Sequence, residues 1–175
     1  MRFPWVGGRH PCLDVLISTR TTLLGIESKR YEPFRSKQKG ELSTAYWRAV
    51  WGTEMCGYER VRDGSLAFAR LDAAQLVKHA FGLRTELHCR QASGLKQAVL
   101  LYLYAEPQAW PDGRLISRAE HTLHLAEIAR FAEMVTSDEV AFCACSYGDL
   151  LAKWNASLDS AVRAHAAELA ARFHL

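Results

Sequence analysis

Three residues near the start of the chain, Asp14, Glu27 and Lys29, have the types and the spacing that metal-assisted hydrolysis requires. They lie in two aliphatic stretches, residues 12–18 and 23–31, which are joined by the turn sequence TRTT. Both stretches have the composition of β-strands, and a proline two residues after the second stretch is consistent with its end. The sequence therefore predicts a hairpin that carries an acidic residue on each strand.

The register of this hairpin decides whether the acidic residues meet. Successive side chains of a strand point to opposite faces, so Glu27 and Lys29 share a face. If the strands pair with Ser18 opposite Leu23, then Asp14 falls directly opposite Glu27. A shift of one residue would put the two acids on opposite faces of the sheet. The favoured register therefore predicts two neighbouring carboxylates with a lysine beside them.

Two neighbouring carboxylates repel each other unless a cation neutralises them. Their oxygens suit Mg²⁺ or Mn²⁺, and the backbone carbonyl of Ser28 offers a third oxygen. A divalent ion held by Asp14, Glu27 and this carbonyl can polarise a phosphoryl oxygen and lower the pKa of a bound water. Lys29 would position or deprotonate the attacking water, or offset charge in the transition state. This set of groups suits phosphodiester hydrolysis.

The rest of the chain predicts the elements that must position these residues. A polar loop is expected over 35–41, and a helix over 42–55. A second helix, over 71–83, would begin at Asp72 and end at Gly82. Beyond it we expect a strand over 96–107, a helix over 117–136 capped by Ser117, a strand over 139–147, and a terminal helix interrupted near Asn155. This alternation predicts the α/β class, with a mixed central β-sheet flanked by α-helices.

The composition bounds the class of protein. The chain has 175 residues, of which 49% are apolar and 23% charged, so we expect one globular domain over residues 1–175. No apolar run approaches the roughly 18–20 residues that span a bilayer, and the N-terminus has no apolar segment typical of a secretory signal. The sequence therefore predicts a cytoplasmic protein without a membrane partner. Residues 1–40 hold eight basic and three acidic side chains, which suits a polyanionic partner.

The stretch PCLD at 11–14, followed by a turn and GIESK at 25–29, resembles the signature of the PD-(D/E)XK nuclease superfamily. The segment GIESKRYEPF, with the later LLYLYAEP and SYGDLLAKW, also resembles a bacterial branch of that superfamily. The resemblance implies a restriction-endonuclease-like fold and a Mg²⁺-dependent nuclease activity, with DNA as the expected substrate. It also implies that Asp14 and Glu27 are metal ligands and that Lys29 is the catalytic lysine.

Further residues are candidates for contacts with nucleic acid. Gln75 and Lys78 lie three residues apart on the helix that follows the hairpin, where several nucleases of this type contribute polar side chains to the site. They can contact water or phosphate there, although an ordinary solvated helix face explains them equally well. The basic residues Arg30, Arg35 and Lys37 follow the hairpin directly. We expect them to bind the phosphate backbone.

Two alternatives to a nuclease stay open at this point. The superfamily often has an acidic residue on a helix before its first catalytic strand, and none of the 13 residues before Asp14 is acidic. This favours a catalytically inactive nucleic-acid-binding or assembly protein that keeps the nuclease fold. The second alternative is an unrelated α/β protein whose hairpin has an ordinary cross-strand pair of charges. The sequence leaves the oligomeric state open, and a homodimer is one option.

Overall fold

The computed structural model describes residues 12–35, 42–48, 50–90 and 94–173. Along these ranges a pair of strands comes first, two α-helices follow, and then a strand, a helix and a strand precede a final pair of helices. The strands are β1 (Val15–Ser18), β2 (Thr22–Lys29), β3 (Gln97–Tyr104) and β4 (Val140–Ser146). The helices are α1 (Cys56–Asp63), α2 (Ala73–Cys89), α3 (Arg118–Met134), α4 (Tyr147–Asn155) and α5 (Ser160–Phe173).

The strands form one mixed sheet in the order β1–β2–β3–β4. β1 and β2 are an antiparallel hairpin, whereas β2, β3 and β4 run parallel to one another. The predicted α/β class, with a mixed sheet flanked by helices, is confirmed. The hairpin has the predicted register, with Ser18 opposite Leu23, and its last pair is Val15 with Ile26. Asp14 therefore immediately precedes the first residue of β1.

The core lies on one face of the sheet, against α1, α2 and α3. Leu23, Leu100 and Val140 on this face are fully buried. Among the helices and turns above them, the rings of Trp51 and Phe81 stack with their centroids 4.1 Å apart. Burial of each large apolar side chain contributes about 1.5–3 kcal/mol. Because the main cluster of buried apolar residues lies on this face, this face supplies most of the hydrophobic stabilisation.

The opposite face of the sheet is covered near the carboxyl ends of its strands. There α4 and α5 pack against each other, and Leu151 of α4 is buried. Farther along this face, Val15 and Ile17 of β1 are 45% and 43% exposed. The two faces therefore differ: one is closed by three helices, and the other carries a helical pair at one end.

The continuous helix expected over 42–55 is wrong. In the described part of this segment, two short 3-10 turns, Thr44–Trp47 and Thr53–Met55, take its place. Gly52 between them has φ of +75°, a left-handed conformation that an α-helix does not tolerate. Trp51 is buried beside this break, so tertiary packing outweighs the helical spacing of the apolar residues. The predicted loop over 35–41 lies outside the described residues, apart from its first residue.

Helix α2 does not end at Gly82 as predicted, but continues to Cys89. A glycine inside a helix costs about 1 kcal/mol relative to alanine. Leu83 and Leu87, which follow it, are both buried, and their burial outweighs that cost. The other end of the helix is as predicted, because Oδ1 of Asp72 accepts a hydrogen bond from the Gln75 amide at 3.0 Å.

The two remaining helix boundaries that the sequence predicted are confirmed. Ser117 and Glu120 form the reciprocal capping box at the start of α3. The terminal helix is interrupted after Asn155, where α4 ends. None of the described helices is long and apolar enough to cross a membrane.

Candidate active site

Helix α2 approaches β2 closely at Gly25 because this residue has no side chain. A Cβ there would lie 2.7 Å from Cδ1 of Leu13 and 2.9 Å from Cδ1 of Leu83, too close for two carbon atoms. Two residues along a strand and four along a helix each advance about 6–7 Å. The contact of Leu83 with Gly25 therefore brings His79, one turn earlier on α2, over Glu27.

Glu27 is buried between two basic side chains. Nζ of Lys29 donates a hydrogen bond to Oε1 of Glu27. Nε2 of His79 lies 2.9 Å from Oε2. This second contact has the distance but not the alignment of a hydrogen bond. Within the described part of the chain, Oε2 of Glu27 and both ring nitrogens of His79 consequently lack a hydrogen-bond partner. Buried polar atoms of this kind are natural positions for a water molecule or a cation to bind.

The pKa of Glu27 reflects a balance between burial and these two partners. Burial alone raises the pKa of the Glu27 carboxyl, because the charged form is less well solvated. The contacts with His79 and Lys29 outweigh burial and bring the pKa below its ordinary value. Glu27 is therefore ionised at neutral pH although it is buried, which is the state that a metal ligand requires.

Asp14 lies beside the same segment of β2. Its Oδ2 accepts a hydrogen bond from the N–H of Ser28 at 2.7 Å. The pairing of β1 with β2 ends at Val15, so Asp14 binds an N–H that the β-ladder no longer satisfies. The structure thus brings Asp14 to the residue between Glu27 and Lys29. The carboxylates of Asp14 and Glu27 nevertheless have different partners.

The carbonyl of Ser28 is directed toward the Asp14 side of β2. The N–H and C=O of one strand residue point to the same side, and this side alternates along the strand. The C=O of Lys29 accepts a hydrogen bond from Ala105 at 2.9 Å, on the β3 side. The N–H of Ser28 points the other way, to Asp14, and the C=O of Ser28 points to the same side as its N–H.

Among the described residues, no group of three or more His, Cys, Asp or Glu side chains is arranged to hold a metal ion.

A small cavity of about 70 Å³ lies beside Lys29. The residues that line it with Lys29 are mostly polar or charged: Glu32, Pro33, Arg70, Asp72, Gln75 and Tyr102. The hydroxyl of Tyr102 is hydrogen-bonded with Nε2 of His124 at 2.9 Å. Burial, aided by nearby carboxylates, raises the pKa of Tyr102 far above its usual range, so this hydroxyl stays protonated.

Glu32 contributes a second carboxylate to this cavity. Its Oε2 accepts hydrogen bonds from the N–H groups of Arg30 and Tyr31, at 2.9 and 3.0 Å. Partial burial raises the pKa of Glu32, but backbone hydrogen bonds and the charge of Lys29 outweigh this and lower it overall. The cavity therefore has fixed charges of both signs.

The loop that brings Arg70 and Asp72 to the cavity is held by Glu127 of α3. The Glu127 carboxylate is buried and accepts three backbone hydrogen bonds, from Ala69 at 2.6 Å and from Arg70 and Leu71 at 2.7 Å each. A carboxylate with three N–H donors is well satisfied even where it is buried. Glu127 thus holds the loop that forms one wall of the cavity, although Glu127 itself does not line the cavity.

The residues predicted to contact nucleic acid lie in different parts of the structure. Gln75 lines the cavity, whereas Lys78 extends over the ring of Tyr46, with Nζ 5.9 Å from the centroid. The proposed auxiliary role of Lys78 therefore has no support in its placement. Arg30 lies on the other face of β2, in a groove near α4 and α5, and Arg35 is exposed. Lys37 lies outside the described residues.

The chain matches no family model, no curated protein and no solved structure. The resemblance to PD-(D/E)XK nucleases therefore rests on the sequence motif alone. The structure places Asp14 on the Ser28 amide and pairs Glu27 with Lys29.

His79 is the main site residue that the sequence pattern did not reveal. Gln75 and His79 are four residues apart and therefore lie on the same side of α2. The predicted helix contains both residues, but the spacing of polar side chains pairs Gln75 with Lys78, three residues away, and leaves His79 out. The glycine of the GIESK segment was the available signal, because a helix can approach a strand closely at that point.

Proposed function

We propose that this protein is a metal-dependent nuclease with a restriction-endonuclease-like fold, which hydrolyses phosphodiester bonds, with DNA as the expected substrate. The observation that carries the proposal is the hydrogen bond of Asp14 to the Ser28 amide, between Glu27 and Lys29. It sets Asp14, the residue before β1, next to the Glu-x-Lys segment of β2.

The carboxylates of Asp14 and Glu27 and the carbonyl of Ser28 offer oxygen donors, the ligand type that Mg²⁺ and Mn²⁺ prefer. Oε2 of Glu27 is buried without an aligned partner among the described residues, and the Ser28 carbonyl points to the side of Asp14. Mg²⁺ usually binds through one or two carboxylates and keeps several waters, so a full cage of side chains is not needed. We assign the ion to Asp14, Glu27 and the Ser28 carbonyl. When bound, it supplies Lewis acidity toward the phosphoryl group and a more acidic water.

Lys29 is the group that acts on the reacting atoms. In hydrolysis the water oxygen forms a bond to phosphorus while the bond to the leaving oxygen breaks. The attacking water gives one proton to bulk solvent, and the leaving oxygen takes one up from bulk solvent. Nζ of Lys29 donates a hydrogen bond to Glu27, so here Lys29 acts as a donor and a positive charge. This favours its orienting the water and offsetting the negative charge of the transition state. His79 keeps Glu27 in place and ionised from the other side.

Cleavage assays with and without Lys29 test the proposal. Linear and circular DNA, and RNA, are incubated with the protein in Mg²⁺ or Mn²⁺. We expect Lys29→Ala to cleave at least about a hundredfold more slowly in single turnover, while binding nucleic acid nearly as well in Ca²⁺. Lys96→Ala, at the far end of the sheet, is the matched control and should cleave normally. Equal rates for Lys29→Ala and wild type would show that Lys29 has been given the wrong role.

A second candidate function is nucleic-acid binding or assembly without catalysis. It is favoured by the absence, among the described residues, of a cluster of three metal-binding side chains. In that case Glu27, His79 and Lys29 would be a buried structural network. The wild type would then bind nucleic acid but would not cleave it in either metal, and Lys29→Ala would lower stability instead of a rate.

A further inference from the structure

A groove lies on the face of the sheet opposite Glu27, between the carboxyl ends of β2 and β3 and the helices α4 and α5. It consists of two adjoining cavities of about 410 and 510 Å³, which share Arg30, Ala105, Tyr147 and Phe173. Sites for small organic ligands typically have this size and are largely apolar with a few polar groups. The groove is therefore large enough to hold an aromatic ligand.

Aromatic rings and one guanidinium group line this groove. The Arg30 guanidinium lies over the ring of Tyr31, at 5.1 Å, and over that of Phe173, at 5.7 Å. It also donates a hydrogen bond to the Phe173 carbonyl at 3.2 Å. The ring of Tyr31 stacks on Trp110, with centroids 5.5 Å apart, which extends the aromatic surface. Flat rings with a guanidinium among them are suited to stacking a planar, electron-rich ligand.

Ser28 connects the groove with the candidate active site. Its Oγ is hydrogen-bonded with the hydroxyl of Tyr147 at 2.7 Å, on the groove side of the sheet. Its N–H donates to Asp14, and its neighbours Glu27 and Lys29 point to the other face. Ser28 therefore has its side chain in the groove and its backbone N–H at the candidate active site, so it is the residue that the two share.

We propose that this groove binds the base of a nucleotide next to the phosphodiester group at the candidate active site. For the position of that phosphodiester group, the inference rests on the proposed function. A purine or pyrimidine can stack on the rings and offer its ring and carbonyl acceptors to Arg30 and to the Ser28–Tyr147 hydroxyl pair. A saturated chain would use only the apolar lining and leave the guanidinium and hydroxyls unused.

The thymidine dinucleotide TpT tests this inference, because it has one phosphodiester group with a base on each side. Its affinity is compared by NMR titration in Ca²⁺ with that of two analogues, each lacking one base. We expect the loss of one particular base to weaken binding about tenfold, and the loss of the other to have little effect, since one stacked base contributes about that much.

Variants then assign the effect to the groove. In Phe173→Ala the difference between the two analogues should disappear, whereas Tyr147→Phe, which keeps the ring, should retain most of it. Phe173 lies near the end of α5 and is 38% exposed, so its substitution is compatible with folding. Trp47→Ala, an exposed aromatic residue elsewhere, is the control and should behave like the wild type. A thermal melt confirms that each variant is folded.

The outcomes distinguish this inference from the proposed function. If DNA is cleaved but both analogues bind like TpT, or if Phe173→Ala changes nothing, the groove does not bind a base and the nuclease proposal stands. If a base preference appears and is lost in Phe173→Ala although no nucleic acid is ever cleaved, the groove inference stands alone. No binding of TpT at up to roughly 10 mM contradicts the inference.

Discussion

Nε2 of His79 lies 2.9 Å from Oε2 of Glu27, and each of these side chains is only 2% exposed. A carboxylate buried to this degree is costly unless other groups compensate its charge. Lys29 provides one compensating contact and His79 the other. The ionised state of Glu27 thus depends on a helix residue that lies far away in the sequence.

Removing His79 should destabilise the fold. We expect His79→Ala to lower the free energy of unfolding by about 2–3 kcal/mol, because a buried charge loses a partner. His88→Ala is a matched control on the same helix. His88 pairs with Glu139 at 2.6 Å but is 40% exposed, so its loss should cost less than about 1 kcal/mol. Urea denaturation measures the free energy of unfolding of both variants. Equal losses would mean that the buried contact of His79 contributes no more to stability than the exposed contact of His88.

Glu27 should make stability depend on pH in a defined direction. Its folded pKa lies below the ordinary value of 4.5 because His79 and Lys29 outweigh burial. Glu27 therefore stabilises the fold fully above that value, and this contribution is lost as the pH falls through the lower folded pKa.

We expect wild type to be more stable than Glu27→Gln at pH 7, with the difference shrinking as the pH falls below 4.5. Denaturation curves at a series of pH values measure this difference. The exposed Glu168→Gln serves as the control, and its difference from wild type should be small throughout. A Glu27→Gln difference that grows in acid would reverse the predicted sign.

A divalent ion should stabilise the folded protein through Asp14. If Mn²⁺ binds only the folded state, about 100 times its Kd adds about 2.7 kcal/mol, which corresponds to a Tm increase of roughly 5–10 °C. Asp14→Asn keeps an oxygen that can accept the Ser28 N–H but removes the charge, so it should lose most of this increase. Asp63→Ala, an exposed acid on α1, should keep it. An equal Tm increase in all three proteins would place the ion elsewhere.

Arg35 should contribute to nucleic-acid affinity without affecting the chemical step. It is exposed just beyond β2, where a phosphate contact positions the chain but does not react. We expect Arg35→Ala to reduce the slope of log affinity against log salt by about one, and to leave the single-turnover rate unchanged. Arg20, in the hairpin turn at the other end of β2, provides the control. A loss of affinity that does not vary with salt would argue against a phosphate contact.

The hairpin could be predicted because two local signals agree. Alternation of side chains and the short turn together fix the register from Ser18–Leu23 to Val15–Ile26. What alternation cannot predict is the direction of the Asp14 side chain, because Asp14 lies just outside the strand. Its carboxylate turns toward the unsatisfied amide of Ser28 instead of toward Glu27. Backbone hydrogen bonding decides this detail, and no side-chain pattern encodes it.

The contacts made across the fold could not be predicted from the sequence. His79 meets Glu27 because Gly25 lets α2 approach β2, and the depth of that approach depends on how Leu13 and Leu83 pack. The same holds for Trp51, whose stacking on Phe81 accompanies the break at Gly52 where periodicity predicted a helix. In both places the packing between elements outweighs the local preference.

The anchoring of residues 69–71 by Glu127 gives the site an order of assembly. The contact of Asp14 with Ser28 spans 14 positions and can close within the hairpin alone. The hydrogen bond from Ala69 to Glu127 spans 58 positions, so it can form only after α3 has docked. Closing the longer loop costs more chain entropy, so we expect it to occur later. Asp14 would thus reach Ser28 early in folding, while the wall of the cavity beside Lys29 would be completed only after α3 has packed against the rest of the chain.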